Sequence, residues 1–211
     1  MQSVALIDYG SGNLRSAEKA LRRAAVTHAK VCVTGDPDAV ARADRIVLPG
    51  VGAFKSCMAA LARRDGLIEA ITEAVKSRGV PFLGVCVGMQ LLGTRGLEFG
   101  ETPGLGWIEG DVVRMQPSDP ALKVPHMGWN TLEMTRPHPL FASQPEGTHM
   151  YFTHSFVLQP KNPDDVIARA MHGGALTAAV ARDNIAGVQF HPEKSQGAGQ
   201  VLLADFLEWR P

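Results

Sequence analysis

The segment Val80-Pro81-Phe82-Leu83-Gly84-Val85-Cys86-Val87-Gly88-Met89-Gln90-Leu91-Leu92 is an apolar run, then Gly-x-Cys-x-Gly, then the start of a helical pattern. It is the cysteine counterpart of the G-x-S-x-G elbow, in which a nucleophile sits on a strained strand-to-helix turn. Glycine two residues before and after the cysteine suits a turn whose neighbouring backbone leaves no room for a Cβ. A thiol at a helix N-terminus sees the positive end of the helix dipole, which favours the thiolate. The Val87 amide, just after it, is placed to donate to a developing oxyanion. Taken alone, the pattern is more often a core cysteine in a tight turn, so the chemistry requires a base and an orienting acid. Cys32, between Val31 and Val33, and Cys57, on an Ala-rich helical stretch with Phe54, Met58 and Leu61, read as core packing.

Among the seven histidines, His28, His138 and His172 read as exposed loop. His126, His149 and His154 lie near strands, without the paired spacing of a metal site. His191 differs: it ends the apolar run Ala186-Gly187-Val188-Gln189-Phe190 and is followed by Pro192 and Glu193. On extended backbone, side chains two apart project to the same side. Glu193 is thereby placed to hold one imidazole nitrogen while the other faces a thiol, the base-and-orienter arrangement of a nucleophilic triad. His-Pro-Glu alone also fits a surface turn; its weight comes from coupling to the elbow cysteine.

These groups need a scaffold. Val4–Asp8, Lys30–Thr34, Arg45–Pro49 and Val80–Val85 read as strands, the last an apolar run expected of a strand covered on both faces. A stripe of Leu14, Ala17, Leu21 and Ala24 predicts a helix after the first strand. Asp65 is the expected cap of a second, carrying Leu67, Ile68, Ile71, Ala74 and Val75, with Gly79 just past its end. That alternation argues for a parallel sheet with helices on both sides. Beyond about residue 100 the texture changes. Gly106–Met115, His149–Leu158, Val166–Ala170, Leu176–Ala181 and Ile185–Phe190 read as antiparallel strands, extending that sheet or forming a smaller one. Val201, Leu202, Phe206 and Trp209 predict a last helix. No repeat or linker is visible, so one α/β domain is expected over 1–211.

Composition excludes several classes. Lys+Arg and Asp+Glu both number 21, giving a formal net charge of zero, with no basic stripe for nucleic acid. Three cysteines without a CxxC pair fit neither a disulfide framework nor a zinc knuckle. No basic-then-apolar leader pattern opens the sequence and no apolar run reaches the roughly 20 residues of a membrane helix. The expectation is a soluble, cytoplasmic protein with no membrane or nucleic-acid partner. Gly10-Ser11-Gly12 lies between strand and helix, but Arg15 stands where a dinucleotide fingerprint has its third glycine. No cofactor and no metal are expected.

Gly-x-Cys-x-Gly-x-Gln at 84–90, Pro-Gly-x-Gly at 49–52 and His-Pro-Glu at 191–193 resemble the class I glutamine amidotransferases. The blocks Ile7–Leu14, Leu48–Phe54, Val124–Asn130 and Gly187–Gln196 resemble the branch whose glutaminases serve a cyclase in histidine biosynthesis; the likeness runs from residue 4 to 209. It implies a flavodoxin-like α/β fold with a mixed, mostly parallel central sheet, helices on both faces and added antiparallel strands in the second half. It implies hydrolysis of glutamine through a glutamyl thioester, with Cys86 as nucleophile, His191 as acid and base, and Glu193 orienting His191. The oxyanion site would draw on Val51, Gly52 and Val87, and the glycines flanking Val51 would let that loop reorient. Gly52, Gln90, Glu98, Tyr151, His154 and Ser155 match positions around the substrate. The implied partner is a cyclase subunit, a (β/α)8 barrel in a 1:1 heterodimer, which uses the ammonia to make imidazole glycerol phosphate and aminoimidazole carboxamide ribotide. The Gly10–Gly12 turn would face that partner, which suggests a communication role for Asn13.

Three rival readings fit the residues less well. An α/β-hydrolase of dienelactone-hydrolase type shares the elbow, but its acid precedes the histidine in chain order, whereas Glu193 follows His191. A catalytically silent regulatory homologue fits poorly with an intact Cys86, His191 and Glu193. A glutaminase of another pathway, such as the anthranilate synthase component, is separated by Asp8–Asn13 and Pro125–Asn130. The segment Gly93-Thr94-Arg95-Gly96 departs from the bulkier, more acidic run expected after the elbow helix, and bears on that helix's length and on the alignment of Glu98.

Overall fold

The computed structural model describes residues 1–26 and 28–211. In the first half, β1 (Gln2–Ile7), β2 (Ala29–Thr34), β3 (Arg45–Gly50) and β4 (Phe82–Cys86) alternate with α1 (Leu14–Ala25), α2 (Pro37–Ala41), α3 (Phe54–Ala62) and α4 (Leu67–Thr72). A four-residue helix, α5 (Val87–Gln90), follows β4 directly. The second half is mostly sheet: β5 (Arg95–Gly96), β6 (Thr102–Pro103), β7 (Gly110–Arg114), β8 (His126–Thr131), β9 (Glu133–Met134), β10 (His149–His154), β11 (Phe156–Pro160), β12 (Val166–Met171), β13 (Ala175–Arg182) and β14 (Ile185–Val188). The last helix is α6 (Gln196–Glu208).

The main sheet runs β2-β1-β3-β4-β14-β13-β12-β9. Pairings from β2 through to β14 are parallel, and those beyond it are antiparallel. β3 and β4 are buried at every residue, which explains the apolar runs at 46–49 and 82–86; the charged residue that opens β3, Arg45, is buried and donates to the Trp209 carbonyl at 2.7 Å. Leu6, Ile46, Leu48, Phe82 and Leu83 are fully inaccessible, each stabilising the fold by roughly 1.5–3 kcal/mol on an area basis. Helix α1 buries Ala20, Leu21 and Ala25 and packs on α6.

The strands of the second half do both things expected of them, but they are not all antiparallel: β14 lies parallel to β4, and β5 to β7. β12, β13 and β14 extend the main sheet, while β8 with β10, and β5, β6, β7 and β11, form two smaller ones. Two local expectations are corrected. Asp65 does not cap α4: Gly66, with φ 73°, stands at that position and no side chain caps the helix. The helix after Cys86 is one turn rather than an extended element, because the chain bends at Leu91 into loop hydrogen bonds from Leu92 and Gly93. Among the described residues no helix is long and apolar enough to cross a membrane.

Candidate active site at the carboxyl ends of the parallel strands

Open α/β sheets offer their crevice at the carboxyl ends of parallel strands. Here β3 delivers Gly50 and the following Val51-Gly52, β4 delivers Cys86 opposite Gly50 in register, and β14 runs on to Gln189 and His191. Three neighbouring strands thus place the elbow, the glycine loop and the imidazole on one edge.

Cys86 adopts φ 55° and ψ −112°, a conformation that costs a non-glycine residue about 1–3 kcal/mol and persists only where the surroundings over-determine it. The surroundings do so here. A Cβ on Gly84 would lie 2.5 Å from the Gly88 carbonyl oxygen, one on Gly88 would overlap the Leu48 carbonyl oxygen, and one on Gly50 would lie 2.8 Å from the Gly88 nitrogen. Glycine at these positions is what lets α5 sit directly on β3. With α5 only four residues long, the helix dipole has little to contribute, so charge on the sulfur depends on nearby groups.

His191 is one such group. Its Nδ1–H donates to Glu193 Oε1 at 2.8 Å, and the two side chains are 3% and 6% exposed. Its backbone N–H donates to the Tyr151 carbonyl, and Ser195 Oγ donates to the His191 carbonyl at 2.7 Å while accepting from the Tyr151 N–H. Nε2 is buried with no hydrogen-bond partner among the described residues, and His191 lines the same cleft as Cys86. Burial alone would push the His191 pKa down. The Cys86 sulfur and the Glu193 carboxylate outweigh it and raise the pKa to about 9. Glu193 does not arrive on extended backbone as expected: Pro192 opens a 3₁₀ turn over Pro192–Lys194, which swings the carboxylate back to Nδ1. The role of Ser195 in this staple had no sequence signal beyond its proximity.

The cleft, about 420 Å³, is lined by Val51, Gly52, Cys86, Val87, Gln90, Glu98, Thr153, His154, Ser155 and Lys194, among others. Among the described residues, the Val87 and Gly52 amides have no acceptor, so both are free for an oxyanion. The Val51 amide is not: it donates to Ser11 Oγ at 3.4 Å, and the Val51 carbonyl accepts from Ser11 Oγ at 2.8 Å and from the Cys57 thiol at 3.3 Å. The Tyr9 hydroxyl grips the adjacent Pro49 carbonyl at 2.7 Å, and burial, aided by Cys57, pushes its pKa up. Cys57 is core packing, as expected, but it also holds the loop. Cys32 is exposed, against the core position expected of it, because its side of β2 is not covered.

The other expected substrate contacts divide. Glu98 accepts the Phe54 N–H that opens α3 through Oε2, at 2.9 Å. Both protons of the Gln90 amide are taken, by the Phe156 carbonyl and by Gln189 Oε1, which leaves Gln90 Oε1 to face a ligand. Tyr151 does not line the cleft. It packs edge-on against Trp129 with Lys194 over its ring, and serves the site through its backbone. Ser155 lines the cleft.

His154 also lines it, but both of its ring nitrogens are engaged. Nδ1–H donates to the Phe156 carbonyl at 2.9 Å, so Nε2 must accept, and it does so from His126 Nδ1 at 3.1 Å. His126 Nε2 in turn accepts from Asn130 Nδ2, whose other proton goes to the Met171 carbonyl. Every donor and acceptor is assigned with both rings neutral. Burial pushes both pKa values down to about 4, with nearby imidazoles adding to the effect. His138 and His172 are half-buried rather than exposed; His138 Nδ1 accepts the Leu140 N–H and His172 stacks on His126.

The buried pair sets an expectation for pH. An unfolded histidine takes up a proton below about 6.5, but the folded pair resists until about 4. The stability it contributes is complete above pH 6.5 and is lost as pH falls toward 4. At 1.36 kcal/mol per unit this is about 3 kcal/mol for each ring by pH 4, or about 6 kcal/mol for the pair. His191 has the opposite sign: its contribution is complete below pH 6.5 and is lost as pH rises through about 9. Thermal unfolding followed from pH 4 to 9 is expected to show a maximum near 6.5. The acid limb should drop by roughly 12–24 °C; a flat acid limb would contradict neutral buried rings.

Known proteins share this chain's family and fold. The family model for glutamine amidotransferase class-I matches residues 5–209. The chain is 64% identical, over the full length of both, to the imidazole glycerol phosphate synthase subunit HisH of Caulobacter vibrioides, and 58% identical to that of Agrobacterium fabrum, with 99% of each covered. A crystal structure of a glutamine amidotransferase superposes with a TM-score of 0.72 at 22% identity, covering 97% of both chains. One from Thermotoga maritima gives 0.65 at 15% identity, covering 98% of this chain and 96% of that one.

Proposed function

We propose, from the premise that the chain belongs to the class I glutamine amidotransferase family, that it is the glutaminase subunit of an imidazole glycerol phosphate synthase, with all 211 residues forming one catalytic unit. The observation that carries the reading is the convergence of Cys86, on a strained elbow, with the His191–Glu193 pair at the ends of adjacent parallel strands.

In this reading Cys86 Sγ attacks the side-chain amide carbon of glutamine, and the oxyanion is received by the Val87 and Gly52 amides together with the Val51 amide once Ser11 releases it. His191, held as imidazolium by Glu193 and the sulfur, gives its Nε2 proton to the departing ammonia, leaving a glutamyl thioester. The now neutral ring takes a proton from water, the hydroxide displaces the thiolate, and glutamate leaves. Glu98 is positioned to meet the substrate α-ammonium. The ammonia passes to a cyclase partner, a (β/α)8 barrel in a 1:1 heterodimer, where it completes imidazole glycerol phosphate and aminoimidazole carboxamide ribotide.

The engagement of the Val51 amide by Ser11 supports a resting state with an incomplete oxyanion site. One such donor is worth roughly 10²–10³ in turnover. The test is a glutaminase assay of the isolated chain and of the chain with the cyclase and its nucleotide. Stimulation of about that size is expected with both present. Full turnover by the chain alone would contradict a loop released by the partner.

A further inference from the structure

Gln189 is wholly inaccessible, and nothing in the fold requires an amide there. Its backbone N–H already secures the strand by donating to the Ala178 carbonyl at 2.8 Å, and a leucine-sized apolar group would fill the volume. A buried amide is retained at a cost unless its polar atoms are satisfied, so their partners report what the side chain is for. Oε1 accepts from Gln90 Nε2 at 3.1 Å. The orientation is unambiguous, because Gln90 Nε2 also donates to the Phe156 carbonyl and so must be the nitrogen. With Oε1 fixed toward Gln90, Nε2 of Gln189 is left pointing at Cys86 Sγ, 3.8 Å away, within reach of a hydrogen bond to sulfur.

We propose that Gln189 is a further catalytic residue of this site, its side-chain amide donating a hydrogen bond to the Cys86 sulfur and holding it as the thiolate aimed into the cleft. No proton leaves the amide. It is a fixed dipole that favours the charged form of the nucleophile before attack and receives it again when the thioester is cleaved. This fits a site whose one-turn helix offers little dipole and where His191 lines the same cleft as the sulfur. A hydrogen bond to a charged group in a buried setting is worth more than one between neutral groups. Gln90 then has a part beyond lining the cleft: it is the positioning residue that sets which end of Gln189 faces the sulfur.

The inference rests on Cys86 being the nucleophile, and the experiment separates the two claims. The variants are Gln189→Glu, which keeps an acceptor for Gln90 but replaces the donor facing Cys86, and Gln189→Met, which removes both polar atoms at similar volume. Iodoacetamide labelling of Cys86 in the folded chain is followed by mass spectrometry from pH 5 to 10, alongside glutaminase kcat and KM in the complex with the cyclase and its nucleotide. Both variants are expected to label at least about tenfold more slowly near pH 7, and to converge on the wild-type rate at high pH where the thiol ionises unaided. A matching loss is expected in kcat, with KM little changed. A variant that is folded by circular dichroism and labels and turns over like wild type would overturn the role of Gln189. If one variant does not fold, the other decides. Wild-type chain blocked at Cys86 but still hydrolysing glutamine would instead overturn the nucleophile assignment.

Discussion

Replacing Cys86 by alanine is expected to abolish glutamine hydrolysis while leaving synthesis from ammonium salts intact in the assembled enzyme. The two halves of the reaction need different things. Forming ammonia from an amide needs a covalent intermediate, and without the sulfur the remaining oxyanion amides and His191 must activate water unaided. Members of a nucleophilic triad act as a unit, so loss of the nucleophile costs about what loss of the whole set costs, on the order of 10⁴–10⁶ in turnover. The substitution is structurally mild, since the side chain is small and the elbow's backbone strain is no worse for alanine than for cysteine. Consuming ammonia needs none of this chemistry, only an intact partner. The measurement is paired initial rates, with glutamine and with an ammonium salt at alkaline pH. Loss of both activities would contradict the division of labour; survival of hydrolysis would remove Cys86 from the mechanism.

The second large effect is on folding. Gly88→Ala puts a Cβ onto the Leu48 carbonyl oxygen, at a point where β3 and α5 are both buried and neither can retreat. Overlap with rigid backbone is not relieved by a rotamer change, so the elbow must lift from the sheet. A loss exceeding about 4 kcal/mol is expected, a large part of the roughly 5–15 kcal/mol total of a domain. Gly52→Ala provides the contrast. At Gly52 no atom lies within 4 Å of the added Cβ, although φ is +96°, and the cost should stay near about 1–3 kcal/mol from backbone strain. Urea unfolding of both variants measures the difference. A Gly88→Ala chain within about 1 kcal/mol of wild type would show that the elbow does not pack on β3 as described.

Much of this site is legible in the sequence because its parts are local. Residues 46–49 in β3 and 82–86 in β4 announce themselves as apolar runs since both faces are covered. Gly84, Cys86 and Gly88 encode the elbow within five residues, and His191 with Glu193 encode a hydrogen-bonded imidazole–carboxylate pair within three. What was not legible depends on pairings distant in the chain. Gln189 reads as one polar residue in a strand until β14 is placed beside β4, 103 residues away, where its amide meets Cys86. Tyr151 and His154 sit in one motif, yet the pleat of β10 sends the first outward to Trp129 and the second into the cleft wall. The exact end of α5, whose length the 93–96 segment left open, is not legible because the apolar residues continue past Gln90 into Leu91 and Leu92, which are buried as loop rather than helix. Asp65 has the right side chain for a cap, but Gly66 supplies a left-handed turn that takes the position first.

The run of hydrogen bonds from Asn130 through His126 and His154 to the Phe156 carbonyl has one direction only. Reversing any one link obliges both rings to exchange tautomers or to accept a charge. Positions 126, 130 and 154 are therefore not free to drift one at a time: a lineage that alters one must alter the others in step, and such joint variation is the inheritance pattern this wall of the cleft should leave.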